Sequence, residues 1–112
     1  MIKVGHKGKA KYWGHYEVLK VAQLSEPPLL HSEELGDVVF EPTLLKIRWE
    51  NGDEEFWCCP YWIGPEGKGR FAQYASMLPE HHLGELLAEA IKQDFFSKSF
   101  LSQLAKVIEE KL

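Results

Sequence analysis

Thr43 to Cys59 reads TLLKIRWENGDEEFWCC, two apolar, aromatic-rich runs flanking Asn51-Gly52. Asn-Gly between such runs is the strongest short-range hairpin signal, because both residues tolerate the positive φ that a two-residue loop requires. With those two residues as the loop, Glu50 faces Asp53, Arg48 faces Glu55 and Lys46 faces Trp57. Leu45, Ile47 and Trp49 then share one face with Phe56 and Cys58, while Arg48 and Glu55 pair on the other. A slip of one residue would exchange the two faces of one strand, so the loop length decides which side chains meet.

The rest of the chain is read around this hairpin. Residues 9–22, KAKYWGHYEVLKVA, form a β-rich run in which Gly14 marks a bend or bulge. Residues 24–36, LSEPPLLHSEELG, read as a loop with at most one short helical turn. DVVFE, residues 37–41, reads as a short strand ended by Pro42, and Pro60 stops the hairpin ladder. Tyr61 to Arg70 is a glycine-punctuated connection. Phe71, Tyr74, Ala75 and Leu78 then recur at helical spacing over 70–78. Pro79 suits the first position of a helix with the stripe Leu83, Leu86, Leu87, Ala90 and Ile91. Asp94 or Ser97 caps a last helix reaching Lys111, with the stripe Phe100, Leu101, Leu104, Val107 and Ile108.

Strands first and helices after define an α+β fold. The expectation is a bent antiparallel sheet or small barrel of four or five strands, followed by two or three C-terminal helices packed on it. A chain of 112 residues makes one domain over 1–112, strand-rich to residue 60, connecting over 61–70 and helical over 71–112.

Charge and cysteine usage narrow the function classes. The net charge of -4 argues against a general nucleic-acid binder. Lys3, Lys7, Lys9 and Lys11 nevertheless gather at the amino end, where they suit an acidic partner, nucleic acid or the protection of a strand edge. The two cysteines, Cys58 and Cys59, are adjacent, so a bridge between them would be strained; a reduced, cytoplasmic protein is expected. The opening MIKVGHKGKAKYW lacks the apolar core of a signal peptide, and no run approaches the ~18 apolar residues of a membrane span.

GKAKYWGHYEVLKV from Gly8 to Val21, followed by IRWENGDEEFW from Ile47 to Trp57, resembles a Tudor module or, more loosely, an SH3-like small barrel. The resemblance rests on the Gly-x-Ala-x-aromatic opening, the Gly-aromatic turn and the later aromatic-acid-Gly turn. It covers the strand half of the chain. It implies an SH3-like barrel and, at Tyr12, Tyr16 and Trp49, a cage for methylated Lys or Arg. Such modules also bind nucleic acid or scaffold their neighbours. The Pro-containing segment between 22 and 37 and the helical third depart from a minimal module.

Several candidate sites follow. Tyr12, Trp13, Tyr16, Trp49, Trp57, Tyr61 and Trp62 make an aromatic surface suited to a protein, a peptide or a small ligand, with core packing as the competing role. Gly67, Lys68, Gly69 and Arg70 make a candidate anion site before a helix, although the spacing is not that of a Walker A loop. Cys58, Cys59, His81 and His82 are zinc-ligand types at the wrong spacing, and no metal or cofactor is expected. Cys58 or Cys59 with His15 or His81, oriented by Glu17 or Glu55, are the groups from which a thiolate pair would be built. Phe95 and Phe96, beside the last helix, offer a contact for a homo-oligomer. The reading is a non-catalytic binding module using its aromatic surface. A small enzyme or ligand-binding protein with a pocket between sheet and helices is the alternative, and nucleic-acid binding through the amino-terminal lysines is the second.

Overall fold

A computed structural model describes residues 2–34, 36–63, 69–71 and 78–112, with backbone alone for 32, 59–63 and 69–71. Six strands precede two helices: β1 (Lys7–Ala10), β2 (Gly14–Gln23), β3 (Leu29–Ser32), β4 (Gly36–Trp49), β5 (Glu54–Ile63), β6 (Gly69–Phe71), α1 (Glu80–Lys92) and α2 (Lys98–Lys111). All pairings are antiparallel, in the order β1-β2-β4-β5-β6, with β3 beside the first part of β4. The sheet is open among the described residues, with β1 and β6 at its ends. The fold is therefore α+β, and the barrel alternative is not realised. No helix is long and apolar enough to cross a membrane among the described residues.

The hairpin between β4 and β5 forms, but one residue out of the expected register. Arg48 faces Glu54, Lys46 faces Phe56 and Leu45 faces Trp57. The loop has three residues, because the Trp49 N–H donates to the Asp53 carbonyl at 2.9 Å and the Gly52 N–H to the Trp49 carbonyl at 2.9 Å. Gly52, the third residue of the loop, takes φ +93°, the left-handed position of such a loop. The Asn51 side-chain oxygen accepts from the Asp53 N–H at 2.9 Å, an Asx bond that favours this longer loop. The slip moves Trp57 onto the face of Leu45, Ile47 and Trp49, and sends Phe56 and Cys58 to the other. Arg48 consequently reaches Glu17 at 3.6 Å rather than Glu55, and Lys46 reaches Glu54 at 3.4 Å.

Neither proline ends a strand. Pro42 faces Pro60 within a continuous β4–β5 ladder. Hydrogen-bonded and non-hydrogen-bonded pairs alternate along an antiparallel ladder. Counting from the bonded pair Trp49–Asp53 makes Pro42–Pro60 a non-bonded pair, where neither N–H is needed between these strands. On its outer side, Pro42 falls in the gap between β2 and β3, where no ladder bond is required.

Two further expectations are corrected. Leu29–Ser32, assigned above to a loop, is strand β3, and it continues the line of β2 along β4 after the break at 24–28. Arg70 and Phe71, assigned to the start of a helix, pair with Trp62 and Tyr61 as β6; residues 72–77 of that expected helix lie outside the described residues.

The sheet carries a core on each face. One holds Ile2, Tyr16, Val18, Leu45 and Ile47, with Ala10, Val21, Trp49 and Trp57 packed around it. A bulge at Leu19 lets two steps of β2 match one step of β4. Ala22 and Leu44 lie on the opposite face, against Ala90, Phe95 and Phe96. Helix α1 buries Leu86 and Ala90 here, while Leu83, Leu87 and Ile91 of its predicted stripe stay exposed. Pro79 is the N-cap rather than the first helical residue. The helix ends in a Schellman arrangement: Asp94 takes φ +59°, its N–H donates to Ile91, and the Phe95 N–H donates to Ala90. The Lys20 ammonium donates to the Gln93 and Asp94 carbonyls at 2.8 Å each, placing positive charge at the helix's negative end. Ser97, not Asp94, caps α2, its hydroxyl accepting from the Phe100 N–H at 3.2 Å.

Candidate functional site

At the hairpin end of the sheet, the Ala10–Gly14 turn and the Trp49–Asp53 loop flank a cleft of about 710 Å³. Trp13, Trp49 and Trp57 line it together with Phe56 and His15, and Ile47 and Ala10 add apolar surface. Glu50, Asp53 and Glu55 bring three exposed carboxylates to the same cleft. The register explains this convergence. Trp49 and Trp57 lie on one sheet face, and so do Asp53, opposite Trp49, and Glu55, opposite Ile47. With a two-residue loop, Trp57 and Glu55 would have turned away.

The third tryptophan arrives by a tight reversal. The Trp13 N–H donates to the Ala10 carbonyl at 3.0 Å, and Tyr12 takes φ +77°, unusual for an aromatic residue. Gly14 follows at φ +100°. The β-rich run over 9–22, expected to bend or bulge at Gly14, is therefore two strands joined by a turn. Trp13 is left 78% exposed at the mouth of the cleft.

Tyr16 does not line this cleft. It is 7% exposed and sits in the core, its ring edge-on to Trp49 at 6.0 Å and to Trp57 at 5.5 Å. Its place between β1 and β4 forces this, because Gly8 faces it on one side and Trp49 on the other. Tyr12 is 87% exposed at the turn tip, with the Lys11 ammonium 5.2 Å from its ring centre. The three aromatics expected to form a cage thus occupy a turn tip, the core and the cleft wall. Tyr61 and Trp62 lie near the end of β5, paired with Phe71 and Arg70; their side chains lie outside the described residues. Of the anion candidate, Gly67 and Lys68 lie outside the described residues, and Gly69 and Arg70 belong to β6.

The remaining chemistry is dispersed. Among the described residues, no three of His, Cys, Asp and Glu gather as a metal-ligand set. Cys58 faces Leu44, whereas His15 lies beside the hairpin end, its carbonyl accepting from the Glu50 N–H at 3.2 Å. Six strand residues separate these positions, or roughly 20 Å. Cys58 is exposed as a residue, yet local burial raises its thiol above the ordinary value, which disfavours the thiolate at neutral pH. Neither observation builds a nucleophile–base pair from Cys58 and His15.

Sequence reasoning missed the acidic rim. Asp53 is expected opposite Glu50 and Glu55 opposite Arg48, and only a three-residue loop brings Trp49 onto the face of Asp53, Glu55 and Trp57. The Asn51 side chain bonding the Asp53 backbone was the available signal. No family model, curated protein or solved structure matches this chain.

Proposed function

We propose that the protein is a non-catalytic binding module whose cleft takes a cationic side chain, Lys or Arg, from a partner protein or peptide. The observation that carries this reading is the meeting of Trp13, Trp49 and Trp57 with Glu50, Asp53 and Glu55 around one cleft. Aromatic faces attract a cation through their quadrupoles, and the carboxylates add charge complementarity and faster encounter. The same carboxylates disfavour a phosphate backbone, which weighs against the nucleic-acid alternative. The resemblance to Tudor modules points to the same ligand chemistry with a different set of aromatics. A reducing, cytoplasmic setting suits the free thiol of Cys58.

The test is titration of the full chain with Lys- and Arg-containing peptides, methylated and unmethylated, read by tryptophan fluorescence and calorimetry. Saturable binding is expected. Trp13→Ala should weaken it about 2- to 30-fold, the span of one cation–π contact. Asp53→Asn should weaken it and flatten its salt dependence. If acidic and basic peptides perturb the tryptophans equally, or neither does, the proposal fails.

A further inference from the structure

Strand β1 ends the sheet, with β2 as its one neighbour among the described residues. The bonds at its start show which of its backbone groups are used. The Val18 N–H donates to the His6 carbonyl at 2.8 Å, so His6–Val18 is a hydrogen-bonded rung. Bonded and non-bonded rungs alternate, which makes Gly8–Tyr16 and Ala10–Gly14 bonded, and Lys7–Glu17 and Lys9–His15 non-bonded. The N–H and C=O groups of Lys7 and Lys9 therefore point away from β2, out of the open edge. No hydrogen bond within the described residues takes them up. Both residues are exposed. Their side chains stand on the sheet face of His15, Glu17, Arg48 and Glu50, beside a depression of about 650 Å³. Arg48 turns to Glu17 at 3.6 Å, and Glu50 lies at the end of β4, so the lysines are the charges of the edge itself.

We propose that β1 is a docking edge for an extended acidic segment of a partner protein, which adds to the sheet as a further antiparallel strand. In such a pairing both outward groups of one lysine bond a single partner residue, directly opposite, whose side chain shares the lysine's face. Lys7 and Lys9 therefore call for acidic residues two places apart in the segment, each set beside an ammonium. Charge also rejects the other occupants. A second copy added antiparallel would set Lys7 against Lys9 twice over, and like charges directly opposite are unfavourable. A nucleic acid would meet Glu17 and Glu50 in the same depression, and its phosphates carry no N–H to donate to the lysine carbonyls. Neither lysine lines the aromatic cleft, so the edge does not rest on the function proposed above.

The test titrates the full chain with a blocked hexapeptide that carries glutamates at its third and fifth positions among valine and threonine. Calorimetry and amide hydrogen exchange read the result. Saturable binding is expected, with exchange slowed at the Lys7 and Lys9 amides and unchanged at Gly8 and Ala10, which already bond β2. Methylating the two glutamate backbone nitrogens should abolish binding, a readout that depends on no variant of the protein. Lys7→Glu with Lys9→Glu should weaken it about tenfold and keep the near-UV spectrum, since both side chains are exposed. Trp13→Ala should leave it unchanged. Absence of saturable binding, or binding indifferent to backbone methylation, overturns the proposal. So does equal binding of a single-stranded oligonucleotide, which would reduce the lysines to a site for charge alone. Loss of binding in Trp13→Ala would put the peptide in the aromatic cleft and overturn it as well.

Discussion

The ring of Tyr16 meets the ring of Trp57 edge to face, 5.5 Å between centroids and 84° between planes. The contact links a buried residue of β2 to a half-buried residue of β5 across the intervening strand β4. Tyr16 makes a second edge contact with Trp49, at 6.0 Å and 74°. Two of the three tryptophans of the cleft thus rest on one buried ring. Tyr16 is a positioning residue for the cleft. Tyr16→Ala should cost about 3–5 kcal/mol in denaturant unfolding, as large-to-small aromatic substitutions in cores do. Peptide affinity should fall in the folded fraction as well, because Trp49 and Trp57 lose their support. Unchanged affinity in fully folded Tyr16→Ala would separate the core from the cleft.

Gly8 and Gly52 should both resist alanine, for different reasons. A Cβ on Gly8 would lie 2.6 Å from the Tyr16 hydroxyl oxygen and 2.7 Å from its ring carbon. Gly8→Ala must therefore displace Tyr16, at about 1–3 kcal/mol, the range for overpacking. A Cβ on Gly52 would meet nothing within 4 Å, but the residue holds φ +93°. Gly52→Ala should cost about 1–2 kcal/mol through the backbone alone. Tryptophan emission separates the two cases: Gly8→Ala should shift it in the native state, and Gly52→Ala should leave it in place.

Tyr12 presents the opposite case. It holds φ +77° with 87% of its surface exposed, so the conformation costs energy and little packing offsets it. Tyr12→Gly should remove a left-handed penalty of about 1–2 kcal/mol and add about 0.5–1 kcal/mol of unfolded-state entropy. A net gain of about 0.5–1 kcal/mol is expected from chemical denaturation. If binding of a partner draws on the Tyr12 ring, the same variant gains stability while losing affinity. A loss of stability would show that the ring makes a contact its exposure does not reveal.

The sequence carried the hairpin, the strands-then-helices order and the capping signals because these are local. Asn51-Gly52, Pro79 and Ser97 act over a few residues, and each marks its loop or helix start to within a residue or two, although only Leu86 and Ala90 of the α1 stripe are buried. What escaped the reading depended on partners far along the chain. Pro42 and Pro60 read as strand ends, yet they face each other at a non-bonded rung of a continuous ladder, with Pro42 in the gap between β2 and β3. The reversal between Ala10 and Gly14 turns on a tyrosine with positive φ, which no propensity anticipates. The site was half legible: aromatic clustering marked Trp13, Trp49 and Trp57, but bringing Trp49 onto the face of Asp53, Glu55 and Trp57 required the three-residue loop. Tyr16 looked identical to them in sequence and was separated only by its place between β1 and β4.

Glu85 gives the docking of α1 a pH dependence. Its carboxylate accepts from the Ser25 N–H at 2.9 Å and from the Ser25 hydroxyl at 2.7 Å, tying the helix to the segment after β2. These two bonds, the backbone one first, hold the Glu85 carboxyl below its ordinary value; desolvation opposes them, and nearby His82 and His81 lower it further. The sign follows from linkage. A carboxyl with a lower value in the folded state binds protons more readily when unfolded, so it stabilises the fold above the unfolded value. That contribution is lost as pH falls through the folded value, below the usual carboxylate range. Glu85→Gln keeps an acceptor for Ser25 but removes the titration. The variant should be less stable than the wild type at neutral pH, and the difference should vanish in acid. Unfolding curves of both proteins from neutral pH to strongly acidic buffer make the comparison. A difference that stays constant across that range would assign the tie to hydrogen-bond geometry and not to charge.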